Sequence, residues 1–317
     1  MKFKTLTRRQ AIFSMGALGI TLTSNHPKNL ALAETIRLQA EIFFDPHIPT
    51  ALRNAQNYAG EEGFVASMPQ LLHARSTAPY NNIIWNTWFT ANSEESVVLS
   101  PQNNHVVVAI HGGGIFSTPE RFELSYHADL DSSNTHGLTG QGAAKISPTE
   151  ARDILEGKLP DGSIIPIYTF SELKKGITNL PSRYGVTIDY NLAKKSKRGY
   201  EDFSILKEDP NMIIRAGGLE PLAAYLDKFQ KRNNTKRMGN WHPYLRINLN
   251  QSQCRIPFLA GNKGGIDSDS DGPGTLGWGY DNEYGLGGDA NIVGMARYVA
   301  VGKRDISASL RNLDFNL

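Results

Sequence analysis

The feature that most constrains the fold is the run Val106–Ile110, in which every side chain is apolar. A strand that is apolar on both faces must be covered on both faces, as strands at the centre of layered proteins are. The run is also bounded by polar residues and by glycines, which mark its two ends. We therefore expect a buried strand in a sheet with other elements packed on each side.

Strand and helix patterns alternate along the rest of the chain. Residues 35–44 alternate apolar and polar side chains, which predicts a strand. The segment 147–150, Ser-Pro-Thr-Glu, has the pattern of a capping box with proline at the first helical position. Residues 220–231 place apolar side chains at helical spacing, which predicts an amphipathic helix. Further strands are predicted at 97–99, 164–169, 186–190, 212–215, 245–249, 255–260 and 292–302, with short helices near 50–58 and before Gly176.

These patterns predict an α/β or α+β fold. We expect a single domain with a mixed β-sheet, flanking helices and a glycine-rich C-terminal loop region. The sequence contains no internal repeat and no low-complexity linker that would divide it.

The first 33 residues have the pattern of an export signal. Arg8 and Arg9 precede an apolar stretch, 11–22, that is too short to span a bilayer. Residues 31–33, Ala-Leu-Ala, fit a small-x-small cleavage site, and the segment 7–12 resembles the twin-arginine motif. This predicts export by the twin-arginine machinery, a mature domain over 34–317 and a periplasmic or secreted location. An ordinary secretory signal or an uncleaved anchor is the alternative.

The charge balance depends on this signal. The chain has 33 basic and 31 acidic residues, but residues 1–33 hold five of the basic ones and no acidic one. The remainder carries 28 basic and 31 acidic residues, a net charge of −3. Nothing in it indicates a nucleic-acid or anionic-lipid partner, and no second apolar run is long enough to cross a membrane. Cys254, the single cysteine, excludes an internal disulfide and a cysteine-rich metal site.

A histidine–glycine loop directly follows the apolar run. Glycines let backbone N–H groups approach a ligand, and the helix start expected at 118–120 favours negative charge. The loop resembles the oxyanion loop of lipases and esterases of the α/β-hydrolase fold, but the chain has no G-x-S-x-G motif. The residues that this pattern marks as candidate catalytic groups are His111, Gly112, Gly113 and Gly114.

The same loop is a candidate metal site. In a helix over 119–128, Glu123 and His127 share a face. With His111 they would form a two-histidine, one-carboxylate site for a divalent metal such as zinc, with a position open for a nucleophilic water. His136 would serve as a further ligand or as general acid. This predicts a metal-dependent hydrolase of a small-molecule, sugar or peptide substrate. In the structural alternative, His111 is a hydrogen-bonding residue and the other two form an exposed pair.

A second enzymatic alternative starts from His127-Ala128-Asp129. These residues resemble the H-x-D motif of a non-haem iron oxygenase. His242 would be the distal ligand and Arg255 the carboxylate clamp. This hypothesis requires 127–129 to lie on a strand.

An aspartate-rich segment indicates a calcium site. Asp267, Asp269 and Asp271, followed by a glycine, match the first half of an EF-hand loop. Position twelve of the loop would be Trp278, so the closing carboxylate must come from elsewhere. The surrounding stretch 261–290 holds ten of the chain's 30 glycines and has little apolar surface, so a bound ion would explain how it becomes ordered. The candidates for the closing ligand are Asp281, Glu283 and Asp289.

The calcium site also suits a competing class of function, a non-enzymatic exported binding or structural protein. Aromatic side chains in predicted loops, such as Trp278 and Tyr280, would suit a sugar or peptide groove. A second glycine junction, 215–218, Arg-Ala-Gly-Gly, precedes the 220–231 helix. It could hold an anion, or it could only let that helix pack on its sheet.

Overall fold

A computed structural model describes residues 39–45, 47–127, 136–137, 143–197, 199–240, 244, 247–259, 276–277 and 297–302. The helices are α1 (Ile48–Ala59), α2 (Met68–Thr77), α3 (Pro119–His127), α4 (Pro148–Leu155), α5 (Phe170–Lys175), α6 (Tyr190–Ala193), α7 (Phe203–Leu206), α8 (Pro210–Ala216) and α9 (Leu219–Asn233). Two short 3₁₀ helices lie at Ile83–Trp85 and Ile115–Ser117. None of these helices combines the length and the apolarity needed to cross a membrane.

The strands belong to three sheets. They are β1 (Gln39–Phe44), β2 (Phe64–Val65), β3 (Phe89–Thr90), β4 (Ser93–Leu99), β5 (His105–His111), β6 (Ala144–Lys145), β7 (Ile167–Thr169), β8 (Tyr184–Asp189), β9 (Gly199–Asp202), β10 (Arg237–Asn240), β11 (Gln253–Arg255), β12 (Phe258–Leu259), β13 (Leu276–Gly277) and β14 (Arg297–Gly302). The sheet orders are β1-β14-β2, β3-β12-β13-β10-β9 and β6-β11-β4-β5-β8-β7.

The six-stranded sheet is mixed, because β7 and β8 are parallel while its other neighbours are antiparallel. The apolar run lies within it as β5. Val107 and Ala109 belong to one hydrophobic cluster, together with side chains of α2, α8 and α9. Val108 and Ile110 belong to a second cluster, with side chains of α1 and α4. The expectation that this strand is covered on both faces is confirmed.

The first and last described strands lie side by side. β1 and β14 pair antiparallel from Gln39↔Gly302 to Phe44↔Arg297. Alternate residues of β14 enter the two clusters, with Val299 and Val301 in one and Tyr298 and Ala300 in the other. The pairing therefore joins the ends of the described chain to the same core that covers the six-stranded sheet.

The predicted fold class is confirmed as α+β with a mixed sheet and flanking helices. The predicted helix over 220–231 is α9, whose apolar stripe is buried. The capping box before α4 also forms, since the Glu150 N–H donates to the Ser147 hydroxyl and the Ser147 N–H to the Glu150 carboxylate.

Two strand predictions are wrong. Residues 212–215 lie in helix α8, because the Asp209 carboxylate accepts the N–H groups of Asn211 and Met212 and so caps a helix. In the segment 245–249, Ile247 and Leu249 pack against the core from outside any strand, and residues 245–246 lie outside the described residues. Most of the glycine-rich region 261–290 also lies outside them.

Candidate functional site

Two adjacent carboxylates lie at the start of β4, the strand beside β5. Glu94 and Glu95 are 3% and 4% exposed, although they are acidic. Neighbouring side chains on a strand point to opposite faces, so the two carboxylates enter opposite sides of the sheet. A buried charge is costly unless it is hydrogen-bonded or paired, and each carboxylate has such partners.

Glu94 lies inside the histidine–glycine loop. Its carboxylate accepts hydrogen bonds from the backbone N–H of Ile115, at 2.8 Å, and of Phe116. A β-carbon at Gly114 would lie 2.3 Å from the Glu94 Oε2 atom, so a side chain there would collide with the carboxylate. The loop therefore holds a carboxyl group with its backbone N–H groups, and that carboxyl belongs to the protein's own side chain.

Burial raises the pKa of Glu94 to about 7. The two backbone hydrogen bonds and the Cys254 thiol, whose Sγ atom is 3.6 Å from Oε2, act in the opposite direction and lower this pKa. The carboxyl therefore titrates near neutral pH while it remains enclosed.

The other two glycines of the loop turn the backbone toward Asn92. Gly112 and Gly113 have φ of +86° and +112°, a region that favours glycine. Their N–H groups both donate to the Asn92 carbonyl, at 3.0 and 3.1 Å. These donors are thus satisfied inside the protein. The resemblance to an oxyanion loop does not extend to its geometry, in which such N–H groups face the reacting atom.

His111 is 1% exposed and has a defined tautomer. Its Nε2 atom is 3.1 Å from the Ile214 carbonyl, which can only accept a hydrogen bond, so Nε2 carries the proton. Nδ1 then accepts from the Ser93 hydroxyl at 2.9 Å, and that hydroxyl itself accepts the Met68 N–H. Burial lowers the pKa of His111 to about 4, so the ring is neutral at pH 7.

Both ring nitrogens of His111 are therefore engaged inside the protein, which corrects its predicted role as a metal ligand and catalytic group. Glu123 instead contacts His47, with 3.2 Å between Oε2 and Nε2. The His136 Nε2 atom lies 4.0 Å from the Glu150 carboxylate. The side chain of His127 lies outside the described residues. Within the described residues, no group of three or more histidine, cysteine, aspartate or glutamate side chains could hold a metal.

The remaining site predictions have different outcomes. The oxygenase hypothesis requires 127–129 on a strand, whereas His127 is the last residue of helix α3. Arg255 is buried in β11, and residues 128–129 and 242 lie outside the described residues. The calcium residues also lie outside them, so that site stays a prediction. These residues are Asp267, Asp269, Asp271, Asp281, Glu283 and Asp289.

The second glycine junction follows a buried ion pair. Arg215, fully buried, donates to Glu95 from Nε at 2.8 Å and from Nη2 at 3.3 Å. Its Nη1 atom donates to Asn240 at 2.9 Å, and the Tyr244 hydroxyl donates to Glu95. Gly217, with φ of +81°, ends α8 directly after this cluster. Sequence reasoning missed both glutamates; their signal was a pair of acids at the start of an apolar strand.

A cleft of about 550 Å³ borders the loop at Gly112. Its walls come from the end of α1, the start of α3 and the loop itself. Gln56, Gln70 and Asn92 supply amide groups, and Arg183 forms an ion pair with Asp161 at 2.7 Å. Among the described residues that line it there is no histidine or cysteine. The cleft can offer hydrogen bonds to a polar ligand, and its described lining provides no histidine that could act as the base for a nucleophile.

We expect His111 and Glu94, both buried, to change the folding stability with pH in opposite directions. His111 stays neutral in the folded protein down to about pH 4, whereas in the unfolded chain it binds a proton below about pH 6.5. The contribution of the neutral ring to folding stability is therefore lost as the pH falls from 6.5 to 4. Glu94 keeps its proton up to about pH 7 in the folded protein, whereas in the unfolded chain it loses the proton near pH 4.5. The contribution of the protonated carboxyl to folding stability is therefore lost as the pH rises from 4.5 to 7. Each effect is on the order of 3 kcal/mol.

Urea denaturation of single variants from pH 4.5 to 6.5 separates these contributions. The His111→Gln change removes a term that increases stability with pH, so relative to the wild type its free energy of unfolding should decrease as the pH rises. The Glu94→Gln change removes a term that decreases stability with pH, so relative to the wild type its free energy of unfolding should increase as the pH rises. If the free energies of unfolding of both variants, relative to the wild type, changed with pH in the same direction, the burial of one of the two groups would be wrongly described.

Comparison with known proteins gives one informative match. No protein-family model matches the chain, and no curated protein matches it. A solved structure described as "Accommodation of massive sequence variation in Nanoarchaeota by the C-type lectin fold" is similar, with a TM-score of 0.57 and 23% sequence identity. The match covers 84% of this chain and 99% of that chain. At this identity the likeness shows the fold alone, and the fold of this chain is similar to the C-type lectin fold.

Proposed function

We propose that this chain is an exported, non-enzymatic binding protein on a C-type lectin scaffold, with a calcium-stabilised recognition segment. The observation that carries the proposal is the similarity to the C-type lectin fold. It favours a binding or structural protein over the metal-dependent hydrolase that the sequence first suggested.

The chemistry of the buried groups supports this choice. A general base must reach the proton that it removes, directly or through one water. His111, Glu94 and Glu95 are all buried, and each is hydrogen-bonded to groups that hold a loop or a helix in place. They stabilise the scaffold and are not available as reactive side chains.

The recognition segment is assigned to residues 261–290. The similar structure is described as accommodating massive sequence variation, and binding residues in proteins often lie in loops carried by a rigid scaffold. In this chain the segment is attached at both ends to paired strands, since β12 pairs with β3 and β14 pairs with β1. Its aromatic residues Trp278 and Tyr280 suit a sugar or a peptide.

Calcium would stabilise this segment. Asp267, Asp269 and Asp271 would repel one another without a cation, and ordering so many glycines costs conformational entropy. A ligand that binds only the folded state stabilises it in proportion to the logarithm of its concentration. The ion therefore offsets the cost of fixing the segment in one conformation.

Calcium titration of the full chain tests this assignment. Calcium at a hundredfold excess over its Kd should stabilise the wild type by about 2.7 kcal/mol and raise its Tm. The combined change Asp267→Asn, Asp269→Asn and Asp271→Asn should remove the effect, because amides are weaker calcium ligands than carboxylates. Asp202→Asn, at an exposed position in β9, is the matched control. Calorimetry that detects no calcium binding by the wild type would disprove the calcium site.

The non-enzymatic assignment has a separate test. With zinc added, hydrolysis of p-nitrophenyl acetate by the wild type should equal that by His111→Gln at matched folded fractions. The reason is that His111 has no nitrogen available to a metal or a substrate. A zinc-dependent hydrolysis rate that disappears in folded His111→Gln would restore the hydrolase hypothesis.

Export is tested through the arginine pair. Replacement of Arg8 and Arg9 by lysine should leave the precursor in the cytoplasm, because the twin-arginine machinery reads this pair. Fractionation of cells followed by immunoblotting measures the distribution. Normal export of the lysine variant would exclude the twin-arginine route and leave the ordinary secretory one.

A further inference from the structure

The cleft beside the histidine–glycine loop combines apolar walls with polar side chains. It lies between the end of α1, strand β2 and the start of α3, and Phe64 and Pro119 contribute apolar surface to its walls. Its volume of about 550 Å³ falls within the range of roughly 300–1,000 Å³ that is common for small-molecule sites. The cleft therefore has the size and the mixed lining of a site for a small organic ligand.

A glycine of the loop allows Arg183 to reach this cleft. A β-carbon at Gly112 would lie 2.7 Å from the Ser182 carbonyl oxygen and 2.8 Å from the Arg183 Cγ atom, so the arginine stem packs closely because Gly112 has no side chain. The Arg183 Nη2 atom donates to Asp161 Oδ2 at 2.7 Å. Its Nε and Nη1 atoms have no hydrogen-bond partner among the described residues, and the side chain is 34% exposed. The guanidinium therefore retains an N–H donor, at Nη1, for a ligand.

Two amide side chains of the lining each leave an oxygen unpaired. The Gln56 Nε2 atom donates to the Ser117 carbonyl, and the Asn92 Nδ2 atom donates to the Val65 carbonyl at 3.3 Å. A carbonyl can only accept, so these contacts identify the nitrogen end of each amide. In the described part of the chain, the Gln56 Oε1 and Asn92 Oδ1 atoms have no donor. They are two acceptors that a ligand could use.

A third amide of the lining, Gln70, is held in the opposite orientation. Its Oε1 atom accepts the N–H and the hydroxyl of Ser67, at 2.8 and 2.9 Å, in the capping box of α2. A backbone N–H can only donate, so this end is the oxygen, and the Nε2 group has no acceptor within the described structure. Unpaired donors and acceptors therefore line the same cleft.

The charges of the described lining disfavour an ionic ligand. They are one basic residue, Arg183, and two acidic ones, Asp161 and Glu62, so the balance is negative and disfavours an anion. A cation would need a carboxylate to pair with. Asp161 is already paired with Arg183 and accepts the Ser163 N–H at 3.0 Å, and Glu62 is exposed. A neutral ligand is favoured over both.

We propose that this cleft binds a neutral, hydroxyl-rich ligand of the size of a mono- or disaccharide, without calcium. A hydroxyl group both donates and accepts a hydrogen bond, so adjacent hydroxyls of one sugar ring would satisfy the amide oxygens and the N–H donors together. The apolar walls suit the C–H groups of the ring, and the few polar groups fix its orientation. This site goes beyond the calcium-stabilised segment proposed above, because it is built from other residues and uses no ion.

Calorimetry of the full chain in EDTA tests the site with a panel of neutral saccharides. The panel is glucose, galactose, mannose, N-acetylglucosamine, maltose, lactose and cellobiose, and at least one of these should bind with a stoichiometry of one per chain. Gln70→Glu and Arg183→Leu should each weaken that binding by about fivefold or more, because each removes a hydrogen-bond donor. Gln70→Glu keeps the oxygen that caps α2. The matched controls are Gln102→Glu and Arg152→Leu, at exposed positions outside the cleft, and both should bind as the wild type does.

Three results would overturn the proposal. They are no binding of any saccharide of the panel by the wild type in EDTA, unchanged affinity in both cleft variants, and tighter binding of glucuronate or glucosamine than of glucose. Binding that appears only after calcium is added counts as the first of these, and it would assign the saccharide to the segment 261–290. If Arg183→Leu fails to fold, Gln70→Glu carries the test. The calcium titration and the saccharide titration are separate, so either site can fail without the other.

Discussion

The structure depends on two buried carboxylates that leave one strand in opposite directions. Glu94 holds the backbone of the histidine–glycine loop on one side of the sheet. Glu95 holds Arg215 on the other side and, through it, the end of α8. Removing one partner of a buried charge leaves the other uncompensated, which costs several kcal/mol. The strand therefore fixes a glycine loop on one face and a helix end on the other.

This arrangement explains why the histidine–glycine loop looked like a binding site. A glycine-rich turn before a helix exposes N–H groups that favour an anion. The same physical chemistry operates when the anion comes from a neighbouring strand. The sequence shows the donors, but the acceptor lies about 20 residues before the loop. An internal carboxylate and an external ligand satisfy the same donors, and tertiary structure decides between them.

His111, like Glu94, makes its hydrogen bonds inside the protein. Its two hydrogen bonds join the consecutive strands β4 and β5 to each other and to α8, where the partner Ile214 lies 103 residues further along the chain. A histidine used in this manner stabilises packing, because both of its ring nitrogens are hydrogen-bonded inside the protein and its lowered pKa of about 4 keeps the ring neutral at pH 7. The scaffold that results is similar to the C-type lectin fold.

The sequence by itself determined the elements whose signals are local. The apolar run of β5, the stripe of α9 and the capping box of α4 are each contained within a few turns of chain, so their patterns were sufficient. Residues 212–215 were misassigned because their apolar run is too short to distinguish a strand from a helix, and the cap at Asp209 decided it. Only the tertiary structure decided the partners of His111, Glu94, Glu95 and Glu123. Those contacts join residues 18 to 160 positions apart, and no periodicity within one element reports which distant group a buried polar side chain will meet.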